Sequence, residues 1–301
     1  MNEARTDEKR TGDIGLRVIL IFSVLLIVGG AAIFLYPTVS NYLAVRQQAT
    51  MVENYVQNVE SADRSELEAE WEKAVQYNEN LAGDPVHDPF VPGSGYALPD
   101  NYLDVLNLDG DGVMGYIVIP KISVILPIYH GSDEDVLAKG AGHIEQTFLP
   151  IGSLGGNAVI TGHRGLPTAE MFTRLDELEP GDCFVIHVLD RTLAYEVDQI
   201  TVVLPDELEG IQPVAGEDLV TLVTCTPYGV NTHRLLVRGH RTEYIPEEHE
   251  RVQTGVHVVF HGIDRGMRNL GIGIGLGILV LSLLLGWIGK RRRRDGEKDK
   301  K

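Results

Sequence analysis

The sequence predicts a mainly β protein, a closed or sandwiched antiparallel sheet with short helical pieces, preceded by a helical stem and flanked by apolar runs. Three observations predict it. Between residues 100 and 245, short runs rich in β-branched and aromatic residues recur at intervals, separated by Gly, Pro, Asn and Asp. Residues 40–80 are poor in glycine and proline and rich in helix formers. Val18–Tyr36 and Leu270–Gly289 are uncharged runs of nineteen and twenty residues, each about long enough to span a bilayer.

Taken in order, residues 1–17 form a charged N-terminus and 18–36 an uncleaved transmembrane anchor. A signal peptide is the alternative, but Tyr36-Pro37-Thr38-Val39-Ser40 is a poor small-residue cleavage site. Residues 37–82 read as one or two stem helices, in which Leu67, Trp71, Ala74 and Val75 make one apolar stripe to pack on the globular part. Residues 83–99, with Asp84-Pro85-Val86-His87-Asp88-Pro89-Phe90-Val91-Pro92-Gly93, form an extended loop, since proline removes helical hydrogen bonds.

Asn107-Leu108-Asp109-Gly110-Asp111-Gly112 resembles part of a calcium loop, but the twelfth position is Val118, without a carboxylate, so a turn is expected. The strands expected after it are Gly115–Pro120, Val124–Tyr129, Ala158–Thr161, Phe184–Leu189, Leu193–Leu204, Leu219–Cys225 and Arg234–Arg241. Asp133–Lys139 and Thr168–Leu178 read as short helices, the first capped by Ser132 or Asp133. Residues 246–269 are a linker, 270–289 a second transmembrane helix and 290–301 a basic tail. Lys290-Arg291-Arg292-Arg293-Arg294 prefers the cytoplasmic face. Two spans then place both termini in the cytoplasm and residues 37–269 outside, which Arg265 and Arg268 oppose only weakly.

The formal net charge is −17, and the last twelve residues carry eight cations against three acids. The outside portion is therefore more acidic still. Such a surface repels phosphates and excludes nucleic acid as partner; it suits a partner that brings an amine. Only Cys183 and Cys225 are present, so an extracellular domain of this kind relies on packing rather than a disulfide framework. Cys183 starts a strand and reads as a small apolar residue.

Cys225 ends the alternating run Leu219–Cys225, a Pro-, Gly- and Asn-bearing turn follows, and Arg234 opens the next strand. Thiol and guanidinium thus sit at neighbouring strand ends. A thiol needs a base or cation to favour its thiolate, and Arg234 supplies donors for an oxyanion. Of ten histidines, His163 stands out because it follows the apolar run Ala158–Thr161 and is flanked by Gly162 and Gly165. His130 and His143 read as structural, and His233 points away from Arg234 as its strand neighbour. No histidine pair has metal-ligand spacing, so neither metal nor cofactor is expected.

The blocks Thr221-Leu222-Val223-Thr224-Cys225 and Thr161-Gly162-His163-Arg164-Gly165, followed by Arg234, resemble those of the sortases, cysteine transpeptidases of Gram-positive cell surfaces, over roughly residues 80 to 245. The resemblance implies a closed barrel of about eight strands, with Cys225 as nucleophile, His163 as acid and base, and Arg234 on the oxyanion or the substrate. Thr161 and Thr224 would line the site. Asp88-Pro89-Phe90 resembles the lid of the pilus-building, class C members, in which Asp88 would pair with Arg234 and Phe90 would cover Cys225. The implied substrate is an LPXTG-like sorting signal on a pilin or surface protein, cut between Thr and Gly, with a pilin lysine as acceptor. The alternatives are a sortase that anchors proteins to a peptidoglycan precursor, a cell-wall peptidase or cross-linking transpeptidase with a Cys–His pair, and a membrane-tethered scaffold without chemistry.

Overall fold

The computed structural model describes residues 2–81, 101–166, 168–207 and 209–245, with side chains from residue 21 onward. The proposed lid at 83–99, the linker at 246–269, the second span at 270–289 and the basic tail at 290–301 all lie outside the described residues. Helix α1 runs from Asn2 to Ser61 through Pro37, and α2 from Arg64 to Leu81. The anchor and the first part of the stem are therefore one continuous helix. Its portion Ile21–Ser61 is long and apolar enough to cross a membrane. Ile33 and Phe34 are 78% and 82% exposed there, which suits hydrocarbon and not water.

Eight strands close a barrel in the order β1-β2-β3-β4-β7-β8-β6-β5. They are β1 (Val113–Ile119), β2 (Val124–His130), β3 (Ala141–His143), β4 (Gly156–Thr161), β5 (Cys183–Val188), β6 (Arg191–Val203), β7 (Asp218–Thr226) and β8 (His233–Thr242). The sheet is not wholly antiparallel, as the sequence suggested, because β2–β3 and β4–β7 pair in parallel. Strand β3 was not expected: three residues centred on Gly142 are too short to show alternation. The expected helix at Asp133–Lys139 is a single turn, α3 (Glu134–Leu137), with Asp133 at its N-cap but no side-chain capping bond. The helix expected at Thr168–Leu178 is absent apart from a 3-10 turn at Leu175–Glu177. Met171 has a φ of 39°, a left-handed conformation that ends helical propagation.

The barrel interior is filled by Ile117, Ile128, Ile160, Phe184, Tyr195 and Leu222, among others, all fully buried. The stem belongs to this core. Leu67, Ala74, Tyr77 and Leu81 of α2 join it, with Trp71 and Val75 packed at its edge. Asn78 holds the backbone of Leu149 from both sides, donating to its carbonyl at 3.1 Å and accepting from its N–H at 2.7 Å. The Tyr55 hydroxyl donates to the Met114 carbonyl and accepts from the Leu189 N–H, at 3.1 and 2.8 Å. Each is a buried backbone group satisfied by the stem.

Two other histidines are structural. His143 is fully buried, its Nε2 donating to the Phe148 carbonyl at 2.8 Å and its Nδ1 accepting from the Tyr102 hydroxyl at 2.9 Å. His130 bridges the carbonyls of Gly112 and Val105. Burial lowers the His143 and His187 rings from the ordinary 6.5 to about 4. Below pH 6.5 the unfolded chain binds protons there that the folded chain refuses, so these groups withdraw stability as pH falls from 6.5 to 4. For His143 alone the loss reaches about 3 kcal/mol at pH 4. Asp218 and Glu145, raised by burial, act in the opposite sense. The direct check is the His143 ring resonance by NMR, expected neutral until about pH 4; a midpoint near 6.5 would contradict the burial.

Candidate active site

The parallel pairing of β4 with β7 builds the site. Thr161 pairs with Val223, each two residues before His163 and Cys225, so these two residues leave the barrel at the same rim. The backbone is laced at this point: Gly162 N–H donates to the Val223 carbonyl at 3.1 Å, and the Thr224 hydroxyl donates to the Gly162 carbonyl at 2.7 Å. The Thr161 hydroxyl reaches the Val223 carbonyl at 3.3 Å. Strand β8 then returns antiparallel with Cys225 opposite Arg234, and directly opposed residues share a face. Thr226 opposes His233 on the other face.

His163, Cys225 and Arg234 line one cavity of about 220 Å³, together with Thr161 and Thr224. All five residues singled out in the described part of the chain therefore meet in one place. Asp88 and Phe90 lie outside the described residues. His233, as expected, is not in the cavity wall. The sequence did not disclose the apolar wall formed by Leu137, Ile144, Val203, Leu204, Ile211 and Leu236. It draws on α3, the residue after β3, β6 and the β6–β7 connection, all distant in sequence from His163 and Cys225, and on Leu236 of β8, two residues after Arg234.

Gly162 is small for a reason. A Cβ there would stand 2.7 Å from the ring of Phe172, which is fully buried and whose N–H donates to the His163 carbonyl at 3.1 Å. The chain after His163 folds back and pins it. Burial holds the His163 ring below its ordinary value, with Glu134 pulling the other way. The ring is therefore mostly neutral near pH 7, the form that accepts a proton. Cys225 is half-buried, and neither cysteine forms a disulfide. Arg234 is oriented through Nη1, which donates to the carbonyls of Asn231 and His233 at 3.3 and 3.2 Å. Asn231 has a φ of 62°, which asparagine tolerates better than most residues.

A thiol, a mostly neutral imidazole and a guanidinium around one apolar-walled cavity are the groups that an acyl-transfer site can use. The family model described as "Sortase domain" matches residues 117–242. The chain is similar to sortase A of Bacillus anthracis, at 29% identity over 74% of this chain and 94% of that protein. Among solved structures it is similar to sortase C of Streptococcus pneumoniae, with 43% identity, a TM-score of 0.59 and coverage of 65% of this chain and 97% of that one. It is also similar to sortase C-1 of Actinomyces oris, with 47% identity, a TM-score of 0.55 and coverage of 59% and 99%. With the closed eight-strand barrel and nearly the full length of these neighbours accounted for, the chain belongs to the sortase family of cysteine transpeptidases.

Proposed function

We propose that this chain is a membrane-anchored transpeptidase of the pilus-building, class C kind. The observation that carries the reading is the single cavity lined by His163, Cys225 and Arg234. Similarity to sortases C supports the class, one of which is described for its pilin substrate specificity. The Cys225 sulfur attacks the carbonyl carbon between Thr and Gly of an LPXTG-like signal, and the oxygen that becomes negative is held by Arg234. His163 takes the thiol proton and passes it to the departing glycine amine, leaving a thioester on Cys225. A pilin lysine amine then attacks the thioester, His163 accepts its proton, and the thiol is regenerated as the isopeptide forms.

In this reading Asp88 and Phe90 form a lid that occupies the substrate cavity, α1 anchors the enzyme, and 270–289 is a second span that returns the basic tail to the cytoplasm. The catalytic barrel then faces outward. The test is the full chain in detergent micelles with an LPXTG peptide and a lysine-bearing pilin domain, followed by intact-mass spectrometry. Asp88→Ala and Phe90→Ala are expected to speed acylation of Cys225 several-fold, and the lysine product should follow. Acylation without transfer to lysine would favour anchoring to a peptidoglycan precursor, and no adduct with any variant would favour a scaffold.

A further inference from the structure

Arg164 follows His163, and Thr226 follows Cys225. The Arg164 guanidinium joins the two segments, with Nη1 donating to the Thr226 hydroxyl at 3.0 Å. Its Nη2 pairs with Asp176 at 2.6 Å, and the Arg164 side chain is only 8% exposed where Asp176 is 49% exposed. The third donor, Nε, is buried with no hydrogen-bond partner among the described residues.

A buried cation with an unmatched donor is a poor stabiliser, because the desolvation of that N–H is not recovered. An apolar side chain of similar length would fill the space at least as well. Its exposed partner, Asp176, would be left to water. Stability therefore does not account for the guanidinium, whereas geometry does. It is a rigid strut fixed to Thr226 at one end and Asp176 at the other, crossing from the histidine segment to the end of β7 one residue beyond each reactive side chain. The bonds at Gly162 and Thr224 fix the segments before His163 and Cys225; Arg164 fixes them after.

We propose that Arg164, acting through Thr226, is a positioning residue that sets the spacing of the His163 ring and the Cys225 sulfur. This rests on the reading of those two as the reacting pair. The experiment uses the full chain in micelles, in native and Phe90→Ala backgrounds, measuring kcat and KM for acylation by an LPXTG peptide together with Tm. Thr226→Val removes the acceptor and keeps the shape. It is expected to lower kcat by about 10- to 100-fold, the scale of a small misplacement of reacting groups, with KM within about twofold. Thr226→Ser, which keeps the hydroxyl, should recover most of the rate. Arg164→Met should lose kcat similarly while Tm holds or rises.

Three results would overturn the proposal: wild-type kcat in Thr226→Val, equal losses in the Val and Ser variants, or losses that track a fall in Tm. An absence of any Cys225 thioester in the unsubstituted chain, in both backgrounds, would instead remove the reacting pair on which the proposal rests.

Discussion

Cys225→Ala is expected to abolish thioester formation and transfer completely while leaving the barrel intact. Among the described residues, Cys225 is the only cysteine in the cavity wall and the thioester requires its sulfur, since Cys183 opens β5 and is not part of that wall. No neighbouring hydroxyl substitutes for it. The Thr224 and Thr161 hydroxyls already donate to the carbonyls of Gly162 and Val223, which ties up their protons. Deleting one sulfur from a half-buried position costs about 1 kcal/mol or less, within the range of ordinary single substitutions. The backbone pairing of residue 225 with Arg234 does not depend on the side chain. The measurement is therefore paired: intact mass for the peptide adduct, and a melting curve. Loss of the adduct with Tm within a few degrees of the native chain is the expected outcome. Continued joining of subunits by this variant would end the transpeptidase reading of Cys225, and loss of the fold would show that the residue is structural.

The candidate site residues were legible because each sits at the end of a strand-like run: His163 just after β4, Cys225 near the end of β7 and Arg234 at the start of β8. Leu219–Cys225 and Arg234–Arg241 read as strands and are strands, and their ends meet in the pairing of Cys225 with Arg234. The match of His163 to Cys225 was legible only as an order along the chain. Its physical basis, the parallel pairing of Thr161 with Val223 across 62 positions, is a tertiary choice that no local pattern encodes. The same limit hid β3, whose pairing comes from β2 and β4 rather than from its own residues. The segment 168–178 failed in the other direction. Its composition suits a helix, but Phe172 is drawn into the core against Gly162 and Met171 turns left-handed, so tertiary packing overrides propensity. Arg164 and Thr226 carried a faint signal, each being the next residue after a candidate site residue. Nothing in the sequence said that their side chains meet.

Arg234→Ala is expected to slow acylation by about 10²- to 10³-fold with KM little changed, the cost of removing one preorganised donor from an oxyanion site. The geometry favours a transition-state role over uniform substrate binding. Arg234 shares a face with Cys225 as its direct cross-strand partner and lines the same cavity, so under the proposed function its donors would meet the charge that develops when the sulfur attacks. Nη1 is occupied by the carbonyls of Asn231 and His233, which fixes the plane of the guanidinium before substrate arrives. Preorganisation of this kind spares reorganisation during the reaction and acts on kcat. Lysine cannot reproduce it. A single ammonium on a flexible stem has no planar fork with which to hold the turn carbonyls and keep further donors free for an oxyanion, so Arg234→Lys should recover less than about tenfold of the loss. The pair of variants also separates the two roles left open for this side chain. A raised KM at native kcat, restored by lysine, would assign Arg234 to holding substrate through charge alone. A depressed kcat that lysine does not restore assigns it to the oxyanion, because only the directed fork, and not the charge, then matters to the rate.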